Sequence, residues 1–588
     1  MAIRMSARWR RNAGGLAAVC AVTAIVGFAG APRAQTPPPA DLVLINGRVL
    51  TVDATDSVAQ AVAIAGGRIA AVGTTDQIRA RVGPRTEVVD LHGRAVTPGL
   101  IDTHVHFSEA SQLFSVDLTD ASITKMDDIL QRVAARVATA KPGEWVSGSG
   151  WDEGKLTERR YVTAADLDKV APNNPVWLEH TTGHYGVGNS YALKMAEVRA
   201  ETRDPPAGTI DRDAQGRPTG VLKESAAGLV TRLVPPYTRE QQKQGIARLI
   251  QDFNKEGMTG AKDPGINAEK WELYQELLRE GTLTIRMFAL WMGSRNGQNA
   301  DQVMARVLAQ PRPPASLGDG VLFSGGVKMF MDGSGGARTA WMHDEWHKNF
   351  DGVDAGNRGY PAIDPDTYRR IVIDLHNAGI HVSTHAIGDR AIDWVVDTYD
   401  LALKNKPTKG LHHGIIHDNT PTDHAIDVTA RLQRDFDAAY PESQAEFMWW
   451  IGDNYAGNLG PSRVGRLKPF QTYVRKGIKW AGGSDYPVTP FPARYGLWSS
   501  VARTTLHGTF GAAPFGAKEA VDIKTALRSY TVWAAHQLFL DDRIGTIAAG
   551  KDADLAVWDR DPYSVPTDQL KDMRCDLTIF KGRVVYRR

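Results

Sequence analysis

The stretch PGLIDTHVHF, residues 98–107, decides the fold prediction, because it places two histidines directly after a short apolar segment. His104 and His106 are two positions apart, and side chains alternate between the two faces of a β-strand, so both imidazoles project to one side. Imidazole nitrogen is a ligand that suits divalent transition metals. The stretch therefore predicts a pair of metal ligands at a strand end. Two histidines alone are as compatible with structural or surface roles.

Two later segments, GIHVSTHAIGDRAID and LHHGIIHDN, repeat the pattern of an apolar strand that ends in a histidine. His385 and His417 lie at the predicted C-terminal ends of these strands, where the active sites of α/β barrels form. Both are therefore predicted metal ligands. His381 lies deeper in its strand and is interpreted as a residue that packs there or supports a ligand. His412 and His413 are interpreted as a polar loop pair.

The segment KWAGGSDYPVTPF contributes Asp485, which follows a short strand and two glycines that let the backbone approach another segment closely. A bound metal lowers the pKa of its water from about 15.7 to about 7, and a neighbouring aspartate can accept the proton. In isolation Asp485 would be interpreted as a turn residue before Pro487. Because it is the fourth strand-end candidate in chain order, it is predicted to be both a metal ligand and the general base.

The segment GGVKMFMDGSGGART places Lys328 inside an apolar strand, where a lysine is either buried at a cost or functional. A carbamate formed from Lys328 and carbon dioxide could bridge two metal ions. A Schiff base is the alternative, which the surrounding histidines and aspartates disfavour. The glycine-rich stretch that follows predicts a loop beside the metals, in which Asp332 and Arg338 would contact the substrate.

The middle of the chain alternates helical and short apolar segments, the pattern of a parallel α/β fold. Helices are predicted at MDDILQRVAARVATA, EQQKQGIARLIQDFNKEG and DTYRRIVIDLHNAG. Residues 41–97 and 541–588 are strand-rich, so both chain ends are predicted to build one small β domain, with a barrel over 98–540 inserted in it. The stretch from about 145 to 236 is predicted to be an insertion that shapes a substrate cleft.

Residues 1–34 are predicted to be an export signal, because a basic start is followed by an apolar run and then by small residues. A Pro-rich linker over 35–40 follows. The apolar run is short for a bilayer span, so we expect a periplasmic or secreted protein without stable membrane insertion after cleavage. A retained anchor is the alternative, and Sec and twin-arginine export both stay open. Cleavage would leave Cys575 as the one cysteine, which excludes an intramolecular disulfide.

The composition, 42% hydrophobic and 23% charged residues, is that of a soluble globular protein. The formal net charge of +2 over 588 residues gives no electrostatic basis for binding nucleic acid. A small molecule is therefore the expected partner.

Taken together, the segments resemble the amidohydrolase superfamily, specifically its YtcJ-like branch (amidohydrolase family 3), which includes N-substituted formamide deformylases. The resemblance spans nearly the whole mature chain and also rests on GWDEGKL, GHYGVGNSYAL and GTIDRDAQGRPTGVLKE. It implies an α/β fold, a (β/α)8 TIM-type barrel with a small β-sandwich domain made from both chain ends. It implies metal ligands at the following residues: His104, His106, Lys328, His385, His417 and Asp485. It also implies that His184 faces the substrate, with a loop histidine as the alternative.

Two segments depart from the pattern of this branch. Ile416-His417-Asp418 stands where relatives commonly have Glu-His-Ala, and the seventh-strand region lacks the usual Gln-Pro. In that region Trp449, Trp450 and Tyr455 could form an aromatic wall of the pocket.

The resemblance implies a metal-dependent hydrolase that cleaves the C–N bond of an amide, N-acyl or N-formyl compound. Hydroxide on the metal would attack the carbonyl, and Asp485 would act as general base and then as general acid. Zinc suits the ligand set, with one or two ions bound; iron, manganese and nickel stay open. The alternatives are an ester, lactone or phosphoester hydrolase, a deaminase on the same scaffold, and a non-catalytic binding protein. A homodimer is compatible with the sequence.

Overall fold

Eight short apolar segments form a parallel sheet that curls into a nearly closed barrel in the computed structural model. The model describes residues 38–107, 114–120, 122–293, 299–347, 356–508 and 516–588. Neighbouring strands in the sheet are also consecutive in the chain. The strands are β1 Leu100–Asp102, β2 Met258–Ile266, β3 Arg286–Met292, β4 Leu322–Phe330, β5 Val382–Ala386, β6 Gly414–His417, β7 Tyr440–Ser443 and β8 Ala481–Gly482.

The first and last barrel strands approach each other at their C-terminal ends. The backbone N–H and the hydroxyl of Thr103 both donate hydrogen bonds to the carbonyl of Gly482, at 3.0 and 2.9 Å. The predicted α/β fold of the TIM-barrel type is confirmed, and the carboxyl ends of all eight strands meet at one face.

Helices follow the barrel strands and cover the sheet. Helix 365–377, for example, contributes Ile371 and Leu375 to the core that contains Val327 of β4. The helices are Thr75–Arg79, Met126–Val137, Ala164–Leu167, Ser190–Met195, Gly228–Thr231, Arg239–Lys255, Ala268–Arg279, Ala300–Leu308, Pro365–Asn377, Asp389–Asn405, Asp423–Phe436, Glu446–Trp450, Gly452–Leu459, Phe470–Lys476, Ala493–Ala502, Ile523–Ser529 and Val532–Gln537.

Two of the predicted helices stop at glycine, as expected. Gly257 and Gly379 follow helices 239–255 and 365–377, and each has φ of +71°, the left-handed conformation that glycine adopts without steric cost.

Both ends of the chain contribute strands to one sheet. Six strands lie in the spatial order Arg583–Arg587, Cys575–Phe580, Leu555–Trp558, Ala95–Pro98, Arg48–Leu50 and Val58–Ala59. A second sheet has the order Arg68–Gly73, Ala61–Ala65, Leu42–Ile45 and Glu87–Asp90. Val62 of the second sheet shares a hydrophobic core with Val96 and Ile579 of the first.

The segment between β1 and β2 forms a sheet of its own. Its strands, in spatial order, are Gly208–Arg212, Pro218–Glu224, Tyr185–Gly188, Val176–His180, Val146–Trp151 and Val116–Asp117. Helix 126–137 packs on this sheet, where Ile129 and Val133 share a core with Val146. The insertion thus begins near residue 116 rather than 145, and it includes a helix that the periodicity alone had assigned to the barrel.

The predicted signal peptide (1–34) and residues 35–37 of the predicted linker (35–40) lie outside the described residues. In the part of the chain that is described, no helix has the length and apolar character needed to cross a membrane.

A buried arginine joins the barrel to the C-terminal sheet. Arg286, the first residue of β3, is 1% exposed, and its Nε and Nη2 donate to Asp554 (2.7 Å) and Asp552 (2.9 Å). Charged groups so far from water are tolerated because they are paired, and removing one partner leaves the others uncompensated.

We expect Arg286→Ala to lower the free energy of unfolding by about 3–5 kcal/mol, because it removes the buried cationic partner of Asp554 and leaves Asp552 with Arg543 alone. Arg248→Ala, which removes an exposed ion pair to Asp252, is the matched control and should cost less than about 1 kcal/mol. Urea denaturation followed by circular dichroism measures both. Equal losses in the two variants would contradict the structural role of the buried pair.

Candidate metal centre

The six predicted metal ligands line one cavity of about 230 Å³ at the carboxyl ends of the barrel strands. His417 is the last residue of β6 and His385 lies one residue from the end of β5, while Lys328 lies inside β4. His104, His106 and Asp485 follow β1 and β8 within four residues. Side chains from separate motifs along the chain therefore surround one cavity.

A buried carboxylate shapes the two turns that carry His104 and Asp485. Asp102, at the end of β1, accepts hydrogen bonds from the backbone N–H of His104 (2.9 Å) and from the hydroxyl (2.6 Å) and N–H (3.0 Å) of Ser484. These hydrogen bonds act to lower the pKa of Asp102, but burial outweighs them and raises it to about 7. At Gly483 a Cβ atom would lie 2.8 Å from the Asp102 carboxylate, so glycine is required there.

Three donor atoms converge next to these turns. Oδ1 of Asp485 lies 3.3 Å from Nε2 of His104 and 3.1 Å from Nε2 of His106. Among the described residues, neither nitrogen of His104 has a hydrogen-bond partner, although this side chain is fully buried. Burial lowers the pKa of His104. Burial also acts to raise the pKa of Asp485, but the neighbouring imidazoles outweigh it and hold the value well below the ordinary one.

The second group consists of His385 and His417, whose rings face each other. Nε2 of His385 donates to the carbonyl of Gly333 (2.9 Å), and Nδ1 of His417 donates to Oε1 of Gln444 (2.9 Å). The orientation of the Gln444 amide follows from its own Nε2, which donates to the carbonyl of Glu442 at 3.0 Å. Since both partners can only accept, each histidine carries its proton on the outer nitrogen.

The inner nitrogens of this pair, Nδ1 of His385 and Nε2 of His417, are 3.0 Å apart. Burial lowers the pKa of both imidazoles well below the ordinary value, so both are neutral. Two lone pairs then point at each other, which is unfavourable unless a positive charge lies beside them. This donor set therefore fits a cation.

An ion pair lies beneath His104 in the barrel interior. Nζ of Lys262 (β2) is 2.6 Å from the carboxylate of Glu442 (β7), and both side chains are fully buried. The other carboxylate oxygen of Glu442 lies 3.8 Å from Nδ1 of His104. A carboxylate behind a histidine orients the ring and increases its basicity towards a metal.

Lys328 lies among the predicted ligands. It is 1% exposed, and its Nζ is 4.7 Å from the centre of the Phe330 ring. It lines the same cavity as His104, His385 and His417, and its positive charge acts to lower the pKa of all three.

The three predicted substrate contacts fall in different places. His184 lines the metal cavity, and its ring centre is 5.0 Å from that of His385. Asp332 does not line this cavity. It is fully buried, and its carboxylate accepts the backbone N–H groups of Ile387 (3.0 Å), Gly388 (2.8 Å) and Trp341 (2.9 Å). These bonds fix the loops that follow β4 and β5, so Asp332 supports the site from behind.

Arg338 lines a separate cavity of about 690 Å³ beside the insertion sheet. Its guanidinium donates to Oδ1 of Asn458 (3.2 Å) and to the hydroxyl of Tyr161 (3.3 Å). Arg338 therefore does not line the cavity of the six predicted metal ligands, where its contact with the substrate was expected.

The remaining histidines differ partly from expectation. His381 is buried and bonds to Ser383 and to the Leu411 carbonyl, which agrees with a packing role. His412 and His413 lie in the loop before β6, as expected, but both are buried. Nε2 of His413, for example, lies 2.9 Å from Nδ1 of His376 in the core. Their sequence context, beside Gly and Leu, carried no signal of these partners.

The predicted aromatic wall is also only partly present. Tyr455 lies beside His385, His417 and Asp485 at a small internal space. The ring of Trp450 instead contacts Lys155, whose Nζ atom lies 3.8 Å from the ring centre, and Trp450 does not line the cavity.

Sequence reasoning missed Asp102 and Gln444. Asp102 is the last residue of β1, and the sequence pattern carried no signal of its hydrogen bonds to Ser484. Gln444 has no signal either, because its role depends on β7 lying next to β6 in space.

Comparison with known proteins agrees with the α/β barrel fold. Residues 87–586 match the model of the amidohydrolase family. The chain is 31% identical to the N-substituted formamide deformylase of Arthrobacter pascens over 93% of this chain and 98% of that protein. It is 28% identical to the putative amidohydrolase YtcJ of Bacillus subtilis, over 90% and 96% of the two chains. A metal-dependent hydrolase of Pyrococcus horikoshii has the same fold, with a TM-score of 0.68 at 24% identity, over 90% of this chain and 99% of that one.

We expect Gln444→Leu to weaken the affinity of the centre for Zn²⁺ by roughly 10- to 100-fold, because His417 loses the acceptor that fixes its tautomer. Competition with a chelating dye measures this. Gln433→Leu is the matched control, since Gln433 also donates to backbone carbonyls but does not line the cavity. If Gln444→Leu binds Zn²⁺ with unchanged affinity, metal binding does not depend on the hydrogen bond between His417 and Gln444.

Proposed function

Because the chain belongs to the amidohydrolase family, and is thus a hydrolase of carbon–nitrogen bonds other than peptide bonds, we propose that it cleaves an amide or N-acyl compound at a divalent metal centre. The observation that carries the proposal is the facing pair of neutral imidazoles, His385 and His417, beside the group of His104, His106 and Asp485. Such a convergence of buried donor atoms favours cation binding.

The two groups of donors support two positions for metal. His104, His106 and Asp485 would hold one ion, and His385 with His417 would hold the other. Lys328 lies near both groups, so a carbamate on its Nζ is proposed to bridge the ions. Zinc is the proposed metal, since it favours imidazole and carboxylate ligands.

When bound, the metal would polarise the substrate carbonyl and make hydroxide available near neutral pH. Asp485 lines the cavity as the carboxylate of the donor set, so it would accept the proton of the attacking water. It would then deliver this proton to the leaving nitrogen, which must be protonated before the C–N bond breaks. The backbone bond from the N–H of Asp485 to the His104 carbonyl (2.6 Å) keeps the carboxylate in place.

The substrate is proposed to be a small compound with an apolar part. The cavity measures about 230 Å³ and includes Met292, Phe330 and Val488 on its walls. The relative from Arthrobacter pascens is named for N-substituted formamides, and a formyl group attached to a substituted nitrogen would fit a space of this size.

Two further proposals concern the rest of the chain. The two terminal sheets are proposed to form the small β-sandwich domain of the family, since Val62 and Val96 of different sheets share one core. Residues 1–34 are proposed, from the sequence alone, to direct export.

We expect the zinc-loaded protein to hydrolyse N-butylformamide or N-butylacetamide faster than p-nitrophenyl acetate or diethyl p-nitrophenyl phosphate. Asp485→Asn should lower kcat on the amide by about 10²- to 10⁴-fold, because the proton carrier is lost. Asp400→Asn, a carboxylate on helix 389–405 that pairs with Lys404, is the control. Turnover of the ester or phosphotriester alone would contradict the proposed bond specificity.

We expect Lys328→Ala to lower the metal content to one equivalent or none, because the bridging ligand is removed. Elemental analysis after loading with zinc and bicarbonate measures the content. Lys155→Met is the control, since Lys155 is also buried but lies against Trp450. Two equivalents of zinc in Lys328→Ala would rule out the bridge.

A further inference from the structure

His184 is held by a buried carboxylate from the neighbouring strand of the insertion sheet. Both oxygens of Glu224 lie within 3.1 Å of Nδ1 of His184. The backbone N–H of Glu224 also donates to the His184 carbonyl at 2.7 Å. The Glu224 side chain is 2% exposed, while that of His184 is 11% exposed and lines the metal cavity.

The position of the Glu224 carboxylate is fixed from the barrel side as well. The hydroxyl of Thr339 donates to Oε1 of Glu224 at 2.6 Å, and the same hydroxyl oxygen accepts the N–H of Ser334 at 2.9 Å. A Cβ atom at Gly333 would lie 2.4 Å from this Oε1. A side chain at position 333 would collide with the Glu224 carboxylate, so the loop after β4 can lie this close to it only with glycine there.

The backbone of Glu224 is strained. It has φ of +52° and ψ of −127°, a region that residues other than glycine rarely adopt. Such a conformation costs about 1–3 kcal/mol and persists where the surrounding contacts impose it, often at functional sites. The strain points to a use for this carboxylate beyond packing.

The contact determines which nitrogen of His184 carries the proton. A carboxylate only accepts hydrogen bonds, so Nδ1 carries the hydrogen, and in the neutral imidazole Nε2 presents a lone pair. Among the described residues no hydrogen bond is assigned to Nε2, and His184 lines the same cavity as Asp485.

We propose that Glu224 positions His184 so that its Nε2 accepts the N–H of the substrate, which makes the enzyme selective for secondary amides. This inference rests on the proposed function. A secondary amide has the hydrogen that Nε2 requires, whereas an N,N-disubstituted amide and an ester do not. His184 contacts the substrate, and Glu224 is a positioning residue that acts through it.

Three probes with the same acyl group test the proposal: N-butylformamide, N-butyl-N-methylformamide and butyl formate. We expect His184→Ala to lower kcat/KM for N-butylformamide about 10-fold, the effect of one lost hydrogen bond to the reacting group. The other two probes should change little, so the preference for the secondary amide falls by the same factor.

Glu224→Gln should have the same or a larger effect. The Thr339 hydroxyl would hold the amide oxygen, so the amide N–H would face Nδ1 of His184 and reverse the tautomer. The double variant should lose no more than the worse single variant, since both changes act on one contact. Thr339→Val, which keeps the carboxylate but removes its donor, should lower the preference by a smaller factor and serves where Glu224→Gln does not fold.

Asp397→Asn is the matched control, because Asp397 also bonds a histidine, His424, at 2.8 Å on the surface. Its substrate preference should equal that of the wild type. Metal content and melting temperature are measured for every variant, and the proposal expects the metal content to be unchanged.

The proposal would be overturned if the variants lose the same factor of kcat/KM on all three probes, or if the loss of kcat/KM parallels a loss of metal. Glu224 would then be a structural residue. A wild-type protein that hydrolyses neither formamide, nor N-butylacetamide, would overturn the proposed function and this inference together. A wild-type protein that cleaves both formamides, with a preference unchanged in His184→Ala and Glu224→Gln, would overturn the inference alone.

Discussion

The centre depends on one electrostatic constraint: two imidazole lone pairs are held 3.0 Å apart by protons that both point away from the shared space. His385 and His417 cannot relieve this by exchanging a proton, because the Gly333 carbonyl and the Gln444 amide oxygen each need theirs. The fold therefore carries a locally unfavourable arrangement that a cation would convert into a favourable one, and metal binding would stabilise the folded chain.

The rest of the barrel holds this arrangement rigid. β1 and β8 meet through Thr103 and Gly482, and Asp102 then links the turns that follow both strands. Beneath them, Lys262 and Glu442 supply a buried ion pair that approaches His104 from the interior. These polar contacts join strands that are distant in sequence, which limits how far the side chains around the cavity can move.

The sequence was sufficient to predict which six side chains meet at one cavity, and insufficient for the residues that surround them. Strand-end histidines can be recognised because the order of βα units is visible along the chain. The insertion sheet was missed. One of its strands, Val146–Trp151, has the sequence VSGSGW, which contains few of the β-branched residues by which a strand is recognised. Glu224 and Gln444 act through neighbours about 40 and 27 positions away. No periodicity encodes such contacts, because they arise when separate elements pack.

The tie between Arg286 and the carboxylates of Asp552 and Asp554 has a consequence for how the chain is made. Asp554 and Asp552 lie 268 and 266 positions after Arg286 in the chain. While the ribosome is still adding the segment between them, the guanidinium has no carboxylate to pair with in the interior. The barrel can therefore reach its final packing only after Asp552 and Asp554 have been synthesised, so the nascent protein has to be kept from aggregating until then.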